Sequence, residues 1–453
     1  MELPPALLDS LNGVKGFDLQ GFCDVHYSGE QITSVRFHPD KPSHALQTMK
    51  EGEIPWCKNA WYLSSRPSFT MDPVFHAGGY YVQEASSMFL WYLLEQVTSN
   101  LPVEGKLKIL DLCAAPGGKS TLLSAFFKDG LVVSNEVIKS RASILVENIT
   151  KWGQPNVIVT NNDPEHFQQL EAFFDVVLVD APCSGSGLFR KDPAAIEEWS
   201  PQNVLHCSQR QERILSDIFP ALKENGILIY STCSYSPQED EAIADWLVNE
   251  MGMAPLSLPV TPEWNIIQTA APNSGAVGYR FYPNRIKGEG FYIAAFKKTG
   301  EPEGTKYKEV NLLRPSAAEM EMIHRFYPVP EGFSAFKQNE GIRIMATEWM
   351  EVLKQLAKQL YIKKAGIEIG AIKGKDLIPS HELAVAALDK SILPTIPVTQ
   401  EQALQFLKRI DLKLDAPKGW HLLVYDGLGL GWVKVLPNRV NNYYPAEWRI
   451  LKH

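Results

Sequence analysis

The sequence predicts an α/β protein whose core is a doubly wound parallel sheet. Short apolar runs rich in β-branched residues, such as 176–180 and 227–231, are typical of buried parallel strands. These runs alternate with stretches of helical length and helical period. Strands separated by such helices form right-handed βαβ units, in which helices cover both faces of the sheet.

The elements of this core follow one another from about Gly79, where a helical stretch is predicted to run through Leu94. The predicted strands are 107–112, 132–135, 156–160, 176–180 and 227–231. The predicted helices are 120–127, 139–152, 200–223 and 238–250. Two further runs, 278–281 and 291–296, predict an antiparallel pair that closes the core.

Three regions are expected along the chain. Residues 1–75 show no clear period and form an N-terminal accessory region, and residues 76–300 form the core. The segment 298–304 has the polar, Gly- and Pro-containing composition of a linker, so a smaller α+β region is expected at 307–453. Its predicted elements are a helix at 350–360 and two strands, 421–424 and 431–435, around a hairpin turn at 426–429.

Composition excludes several classes of protein. The chain has 453 residues, of which 45% are hydrophobic and 21% are charged, as in ordinary globular proteins. No secretory signal is evident, and no apolar run reaches the roughly 18 residues of a membrane span, so we expect a cytoplasmic protein without membrane contact. The six cysteines show neither a C-x-x-C pair nor zinc spacing, so we expect reduced thiols and no metal.

The charge is unevenly distributed along the chain. The net charge of −8 by itself disfavours a nucleic-acid partner. Residues 351–453, however, contain 15 Lys and Arg against 10 Asp and Glu. A basic C-terminal module behind an acidic body is compatible with RNA binding, because only the contacting face has to be positive. A surface fluctuation without consequence would give the same balance.

A glycine-rich loop links the first strand of the sheet to the helix that follows it and is the candidate cofactor loop. Glycines let the backbone approach a ligand, and the helix amino end offers free N–H groups. The candidate cofactor-binding residues of the loop are Cys113, Ala114, Ala115, Pro116, Gly117, Gly118 and Lys119. The end of the loop imitates a P-loop, but the first glycine of that pattern would fall at Cys113, which disfavours an NTPase.

Carboxylates follow three consecutive strands of the predicted sheet. Glu136 ends the second strand, Asp163 follows the third, and Asp180 ends the fourth. In dinucleotide-type folds a carboxylate at such a strand end accepts hydrogen bonds from ribose hydroxyls. Each carboxylate alone could equally be a solvated loop residue or a helix cap. Together with the loop, the three predict a site for a nucleoside cofactor that lies across the crevice.

Two cysteines also follow strands of the sheet. Cys183 comes shortly after 176–180, and Cys233 comes shortly after 227–231. Ligands of open α/β sheets bind at the carboxyl ends of the strands, so both thiols are expected in one crevice. This arrangement indicates thiol chemistry. A redox dithiol is an alternative, although no C-x-x-C pair supports it.

Five segments carry a resemblance to a known family. They are YVQEASS at 81–87, DLCAAPGGK at 111–119, DAPCSGSG at 180–187, RKDP at 190–193 and YSTCS at 230–234. In this order they resemble the Sun/Nop family of S-adenosylmethionine-dependent RNA cytosine-C5 methyltransferases. Shorter motifs at 366–371, 379–381 and 441–445 are similar to the RsmF (YebU-type) branch of that family, which methylates 16S ribosomal RNA.

The resemblance implies a Rossmann-like core that uses S-adenosylmethionine to methylate carbon 5 of a cytosine in RNA, with 16S ribosomal RNA as the expected substrate. It implies ribosomal RNA or the small ribosomal subunit as partner, contacted by the N-terminal region and by a C-terminal region with a PUA-like module. We expect a monomer. Two alternatives stay open: tRNA as the methylated substrate, and a non-catalytic RNA-binding ribosome assembly factor that retains the cofactor fold.

The resemblance also assigns roles to the site residues. Cys233 is the nucleophile, whose thiolate adds to carbon 6 of cytosine and turns the ring into an enamine, and Cys183 assists product release. Asp180 would hydrogen-bond N3 and the exocyclic amine of the base. A DNA cytosine-C5 methyltransferase would instead use the Pro-Cys thiol of Cys183 with a later Glu-Asn-Val, but here the similar Glu147-Asn148-Ile149 comes first.

The target base must be accessible to a thiol. A cytosine stacked in a helix does not present its face, so the substrate nucleotide is expected to be flipped out or to lie in a loop. Arg190 and Lys191 follow the Pro-Cys loop and are the candidate RNA-binding residues, through phosphate contacts. Solvated surface charges are the alternative interpretation of this pair.

Overall fold

Residues 3–98, 101, 106–300 and 306–451 are described by the computed structural model of the chain, so the predicted linker 298–304 lies partly outside the described residues. The N-terminal region has three α-helices within the described residues and a small antiparallel sheet of order β2–β3–β1–β4. Its elements are α1 Pro5–Leu11, α2 Leu19–Tyr27, β1 Thr33–Phe37, β2 Lys50–Glu53, β3 Ala60–Leu63, α3 Pro73–His76 and β4 Tyr80–Val82.

Strand β4 corrects the sequence prediction at the start of the core. The predicted helix from Gly79 is wrong over this segment, which pairs antiparallel with β1 in the register Val35↔Val82. Aromatic and β-branched residues such as those of β4 favour a strand when a partner strand is available. The helix starts later, as α4 Leu90–Val97. The N-terminal sheet therefore extends past the expected boundary at residue 75.

The core is built on one large mixed sheet. Within the described residues its order is β11–β12–β13–β9–β8–β5–β6–β7–β16, with β10 paired to β13. Its strands from the core are β5 Lys108–Asp111, β6 Leu131–Asn135, β7 Val157–Thr160, β8 Phe174–Asp180, β9 Leu222–Thr232, β10 Ala254–Leu256, β11 Ile267–Ala270, β12 Val277–Phe281 and β13 Phe291–Lys297. The helices of the core after α4 are α5 Gly118–Phe126, α6 Lys139–Trp152, α7 Ala194–Glu198, α8 Pro201–Ile218 and α9 Glu241–Asn249.

Strands β5 to β9 pair in parallel, as the sequence predicts. The predicted helix 200–223 is too long, because Pro220 cannot continue a helix and β9 already begins at Leu222. The predicted antiparallel pair is confirmed as β12 and β13. Strand β13 also lies antiparallel beside β9, in the register Tyr292↔Thr232, so β13 starts at the edge of the sheet where β9 ends.

The C-terminal region contains two four-stranded sheets within the described residues, and it also contributes one strand to the core. Its elements are α10 Ala317–Phe326, β14 Phe333–Gln338, β15 Gly341–Ala346, α11 Met350–Gln359, β16 Ile362–Ala365, β17 Ile367–Lys373, β18 Asp376–Pro379, α12 His381–Val385, β19 Thr395–Pro397, α13 Gln400–Leu407, β20 Gly419–Tyr425, β21 Leu428–Leu436 and β22 Arg439–Asn442. Strands β20 and β21 confirm the predicted hairpin, in which Asp426 and Gly427 both have positive φ, as a two-residue turn requires.

Helix α11 and strand β16 attach the C-terminal region to the core. Strand β16 pairs antiparallel with β7, in the register Ile362↔Thr160. The N–H of Asn161 donates to the carbonyl of Tyr361 at 3.1 Å. Helix α11 buries Leu353 and Leu356 in the same apolar cluster as α8 and α9, while α4 and α5 cover the other face of the sheet. No described helix is long and apolar enough to cross a bilayer.

Candidate active site

A cavity of about 710 Å³ opens at the carboxyl ends of the parallel strands. Its size lies within the usual range for small-molecule sites. The lining includes all the predicted loop residues except Gly117, together with the three strand-end carboxylates and both strand-end cysteines. The site residues expected from the sequence are therefore brought together, because the carboxyl ends of parallel strands meet at one edge of a sheet.

The glycine-rich loop turns directly into helix α5. Gly117 has a φ of 115°, which a side chain would oppose, and α5 begins at Gly118. No side chain caps the N–H groups of the first turn of α5. Below the loop, Ser120 Oγ donates to Asp111 Oδ2 at 2.7 Å, and burial raises the pKa of Asp111 to about 7. Burial also raises the pKa of Cys113, which keeps this thiol neutral.

Glu136 and Asp163 line the same cavity from the ends of β6 and β7. Glu136 is buried, and its Oε1 accepts a hydrogen bond from the N–H of Ile138 at 2.9 Å. Its Oε2 lies 3.7 Å from Arg141 Nη1. Asp163 Oδ1 accepts from the N–H of Glu165 at 3.2 Å, so Asp163 caps a short 3₁₀ helix while it also lines the cavity.

Asp180 joins the cofactor loop to the end of β8. Lys119 Nζ donates to Asp180 Oδ2 at 2.8 Å, and Ser231 Oγ donates to Oδ1 at 2.7 Å. Burial acts to lower the pKa of Lys119, but the Asp180 carboxylate outweighs it, so the pKa lies above its ordinary value. Lys119 therefore stays an ammonium inside the cavity.

The two strand-end cysteines touch. Cys183 Sγ and Cys233 Sγ are 2.9 Å apart, and both residues are half-buried and free of disulfide bonds. The hydrogen bond with Cys233, followed by burial, raises the pKa of Cys183 well above its ordinary value. The arrangement presents a pair of thiols to whatever occupies the cavity.

Glu239 is a residue that sequence reasoning missed. It lies just before α9, is fully buried, and accepts hydrogen bonds from Ser184 and Ser234, the neighbours of the two cysteines. From its local pattern this segment is predicted only to be part of a helix, 238–250. The signal available was an acidic run, 239–241, directly after the segment that carries Cys233.

The structure corrects the interpretation of Arg190. Its side chain is buried, lies 3.6 Å from Glu289 Oε2, and donates to the carbonyls of Gly288 and Glu30. This position does not fit the expected phosphate contact, because the guanidinium is engaged inside the protein. Lys191 is exposed next to it and keeps its predicted role as a candidate.

The residues present fit S-adenosylmethionine. Uncapped N–H groups at the start of α5 suit the polar end of such a ligand, and Glu136 has a carboxylate oxygen whose nearest cation is 3.7 Å away, suited to ribose hydroxyls. Asp163 and Asp180 continue the polar lining on either side. Among the described residues, no group of His, Cys, Asp and Glu could hold a metal ion.

Three family models match the chain. They are the N-terminal domain of 16S rRNA methyltransferase RsmF at residues 3–85, 16S rRNA methyltransferase RsmB/F at 99–297, and the methyltransferase RsmF PUA domain at 393–450. The last sheet, formed by β19 to β22, thus belongs to a PUA domain, as predicted.

Similar proteins and structures agree with these matches. Ribosomal RNA small subunit methyltransferase F of Psychromonas ingrahamii is 30% identical over 98% of this chain and 97% of its own length. That of Aeromonas salmonicida is 31% identical over 87% of this chain and 84% of its own. A methyltransferase homolog protein from Pyrococcus horikoshii is 26% identical with a TM-score of 0.50, covering 65% of this chain and 100% of that one.

The structure of NSun6 from Pyrococcus horikoshii with SFG, an S-adenosylmethionine analogue, shares the fold. Its TM-score is 0.52 at 18% identity, covering 66% of this chain and 99% of that chain. The fold, the cavity and the matches to all three regions lead to one assignment. The chain belongs to the RsmF branch of the S-adenosylmethionine-dependent RsmB/F family of 16S rRNA methyltransferases.

Proposed function

We propose that this protein methylates carbon 5 of a cytosine in 16S ribosomal RNA through a covalent adduct between Cys233 and carbon 6 of the base. The observation that carries the proposal is the pair of touching thiols, Cys183 and Cys233, in one cavity with Asp180. Carbon 5 of cytosine is a poor nucleophile, so the reaction requires a group that adds to the ring, and a thiolate does this well.

S-adenosylmethionine supplies the methyl group, and the α5 amino end, Glu136 and Asp163 would hold it. Cys233 adds to carbon 6 and delivers electron density to carbon 5. The ring takes up a proton from water at N3 as the thiolate adds, which neutralises the adduct, and Asp180, at the end of β8, accepts hydrogen bonds from that N3–H and from the exocyclic amine. A base then removes the proton from carbon 5, the carbon–sulfur bond breaks, and Cys183 assists the departure of the Cys233 sulfur.

The substrate proposal follows the family. The relatives are named ribosomal RNA small subunit methyltransferases, and the PUA domain supplies an RNA-binding module. Such a protein would act as a monomer in the cytoplasm, where small subunits assemble. Incubation with labelled S-adenosylmethionine and small subunits, free 16S RNA or tRNA should place 5-methylcytosine in ribosomal RNA. Label in tRNA alone would replace the substrate, and no label in any RNA would favour the non-catalytic assembly factor.

The roles of the two thiols are tested by alanine variants. Cys183→Ala should accumulate a covalent RNA–protein adduct that survives denaturing electrophoresis, because release is slowed, and Cys233→Ala should form none. Cys57→Ala is the matched control, since Cys57 is a buried thiol between β2 and β3 and lies outside the cavity lining. The opposite pattern would make Cys183 the nucleophile, as in the DNA enzymes.

A further inference from the structure

Glu239 is a buried carboxylate for which the proposed reaction has no use. Its Oε1 accepts from the N–H of Ser184 at 2.8 Å and from Gln211 Nε2 at 3.2 Å. Its Oε2 accepts from Ser184 Oγ at 2.5 Å and from Ser234 Oγ at 2.6 Å. Burial of a carboxylate costs free energy, because the charge has to be compensated by hydrogen bonds. A loop could be held in place at a lower cost by a neutral side chain.

The four contacts indicate a charged carboxylate. Gln211 Nε2 also donates to the carbonyl of Pro182 at 3.1 Å, and since a carbonyl can only accept, the amide nitrogen is the atom that faces Glu239 as a donor. The N–H of Ser184 can only donate, and both serine hydroxyls have a hydrogen to give. Burial raises the pKa of Glu239, but these hydrogen bonds oppose the shift. Every oxygen of Glu239 thus meets donors, and none requires the carboxylate to carry a proton.

The same carboxylate holds both cysteine loops. Ser184 follows Cys183 and Ser234 follows Cys233, so Glu239 links two segments that are distant in sequence at the point where their thiols touch. At 2.9 Å between the two sulfurs, one thiol donates a hydrogen bond and the other accepts it, and the contact by itself allows either direction.

The charges around the thiol pair differ from one side to the other. Glu239 acts to raise the pKa of Cys183, after the larger effects of Cys233 and burial. Lys119, whose pKa is raised in part by Cys233, provides a cation for Cys233. Asp180 and Arg210 line the same cavity as the pair, Cys183 acts on Tyr230, and Cys233 acts on Cys207.

We propose that Glu239 is a positioning residue that sets the thiol pair in contact and makes Cys183 the donor of the S–H···S hydrogen bond, so that the Cys233 sulfur accepts it and is the more reactive of the two. Glu239 accepts hydrogen bonds from both cysteine loops, and its negative charge makes a second anion at Cys183 unfavourable. The pair is thereby polarised before any substrate binds.

This order gives Cys183 a defined part in product release, a part that rests on the proposed function. When the bond between carbon 6 and the Cys233 sulfur breaks, its electron pair stays on that sulfur. The S–H of Cys183 donates a hydrogen bond to the new thiolate and stabilises it as a leaving group. No proton is transferred between the two sulfurs in this step, and the thiol pair returns to its starting state.

The thiol order can be measured in the full-length protein without RNA. Iodoacetamide alkylation across a pH series, with peptide mass spectrometry, reports the rates at Cys183 and Cys233 separately, because only a thiolate reacts. In the wild type Cys233 should react at least about tenfold faster near neutral pH, and Cys183 should need a higher pH. Equal rates, or faster reaction at Cys183, would overturn the proposal even if no variant folds.

Variants then test Glu239 itself. Glu239→Gln keeps the shape but not the charge and should reduce the Cys233-to-Cys183 rate ratio by about tenfold. Glu239→Asp keeps the charge and should retain a ratio closer to the wild type. Glu241→Gln is the matched control, because this buried neighbour bonds Arg280 and Thr269 and touches neither cysteine loop. An unchanged ratio in Glu239→Gln, or an equal loss in Glu241→Gln, would refute the positioning role.

The proposed function can fail separately from this inference. If RNA treated with the wild-type protein contains no 5-methylcytosine, the proposed reaction is refuted, but the thiol order measured by alkylation still holds. Conversely, RNA methylation by a protein whose two thiols alkylate equally fast would leave the reaction standing and remove the role of Glu239.

Discussion

Lys119 Nζ lies 2.8 Å from Asp180 Oδ2, although the two residues are 61 positions apart in the chain. Lys119 lies in the first turn of α5, directly after the glycine-rich turn, and Asp180 ends β8. The contact couples the cofactor side of the cavity to the side that carries the thiols. A single carboxylate therefore orders both halves of the site, and its removal should affect catalysis more than it affects the fold.

Asp180→Asn should reduce methyl transfer to RNA by about a hundredfold or more, because a group that stabilises developing charge is lost. Cofactor affinity should change far less. Methyl incorporation under saturating cofactor is the measurement. Asp175→Asn is the matched control, since Asp175 lies at the opposite end of the same strand and bonds Lys223. Near-normal activity of Asp180→Asn would contradict the assigned role.

Glu136→Gln should weaken S-adenosylmethionine binding about tenfold or more, because hydrogen bonds to a charged acceptor contribute about 1.5–3 kcal/mol. Isothermal titration calorimetry measures the effect. Glu147→Gln alters a half-buried carboxylate of α6 that pairs with Lys151 outside the cavity lining and should leave affinity unchanged. Equal affinities for all three proteins would show that Glu136 does not contact the cofactor.

Arg190→Met should lower the free energy of unfolding by about 3–5 kcal/mol, because Glu289 would remain buried without its partner. Lys191→Ala should leave stability unchanged and weaken RNA binding, with a smaller salt dependence of the binding constant. Chemical denaturation and RNA titration at several salt concentrations separate the two effects. If Arg190→Met binds RNA weakly but is fully stable, the buried pair does not have the structural role assigned to it.

Glu382 should make the stability of the C-terminal region depend on pH. Burial acts to raise its pKa, but Arg343 and Lys364 outweigh it and hold the pKa at about 2, below the ordinary value of 4.5. Because the folded-state pKa is depressed, this stabilisation is fully present above about pH 5 and is lost as pH falls towards 2.

Glu382→Gln should remove that pH dependence and lower stability at neutral pH by about 3 kcal/mol. Denaturant unfolding at pH values from about 2 to neutral pH measures the pH dependence and the loss of stability. Glu321→Gln breaks an exposed pair with Arg325 and serves as the control. Parallel pH profiles for the wild type and Glu382→Gln would contradict the prediction.

Much of the catalytic core was predictable from local pattern. Helix α6 spans the predicted residues 139–152, and each predicted parallel strand is present. The site residues at the strand ends could be named in advance, because the βαβ rule places every carboxyl end on one edge. Each strand or helix is defined by an apolar pattern within a short stretch of the chain, so its position can be predicted without knowledge of distant contacts.

Strand β16 was not predictable in the same way. Its sequence, Ile362-Lys363-Lys364-Ala365, has two lysines and no strand-like alternation. It becomes a strand because β7 offers an unpaired edge and because Glu382 neutralises the buried Lys364. Both partners come from distant parts of the chain, which a local pattern does not show.

The amino-acid sequence by itself determined the doubly wound core, the cofactor loop and the presence of two thiols and a carboxylate at the ends of strands, since these depend on local periodicity and short motifs. Only the tertiary structure decided that Arg190 is buried against Glu289, that Glu239 clasps both cysteine loops, and that β16 completes the sheet. Burial and hydrogen-bond satisfaction are properties of surroundings assembled from remote segments, so they arise only when the whole chain folds.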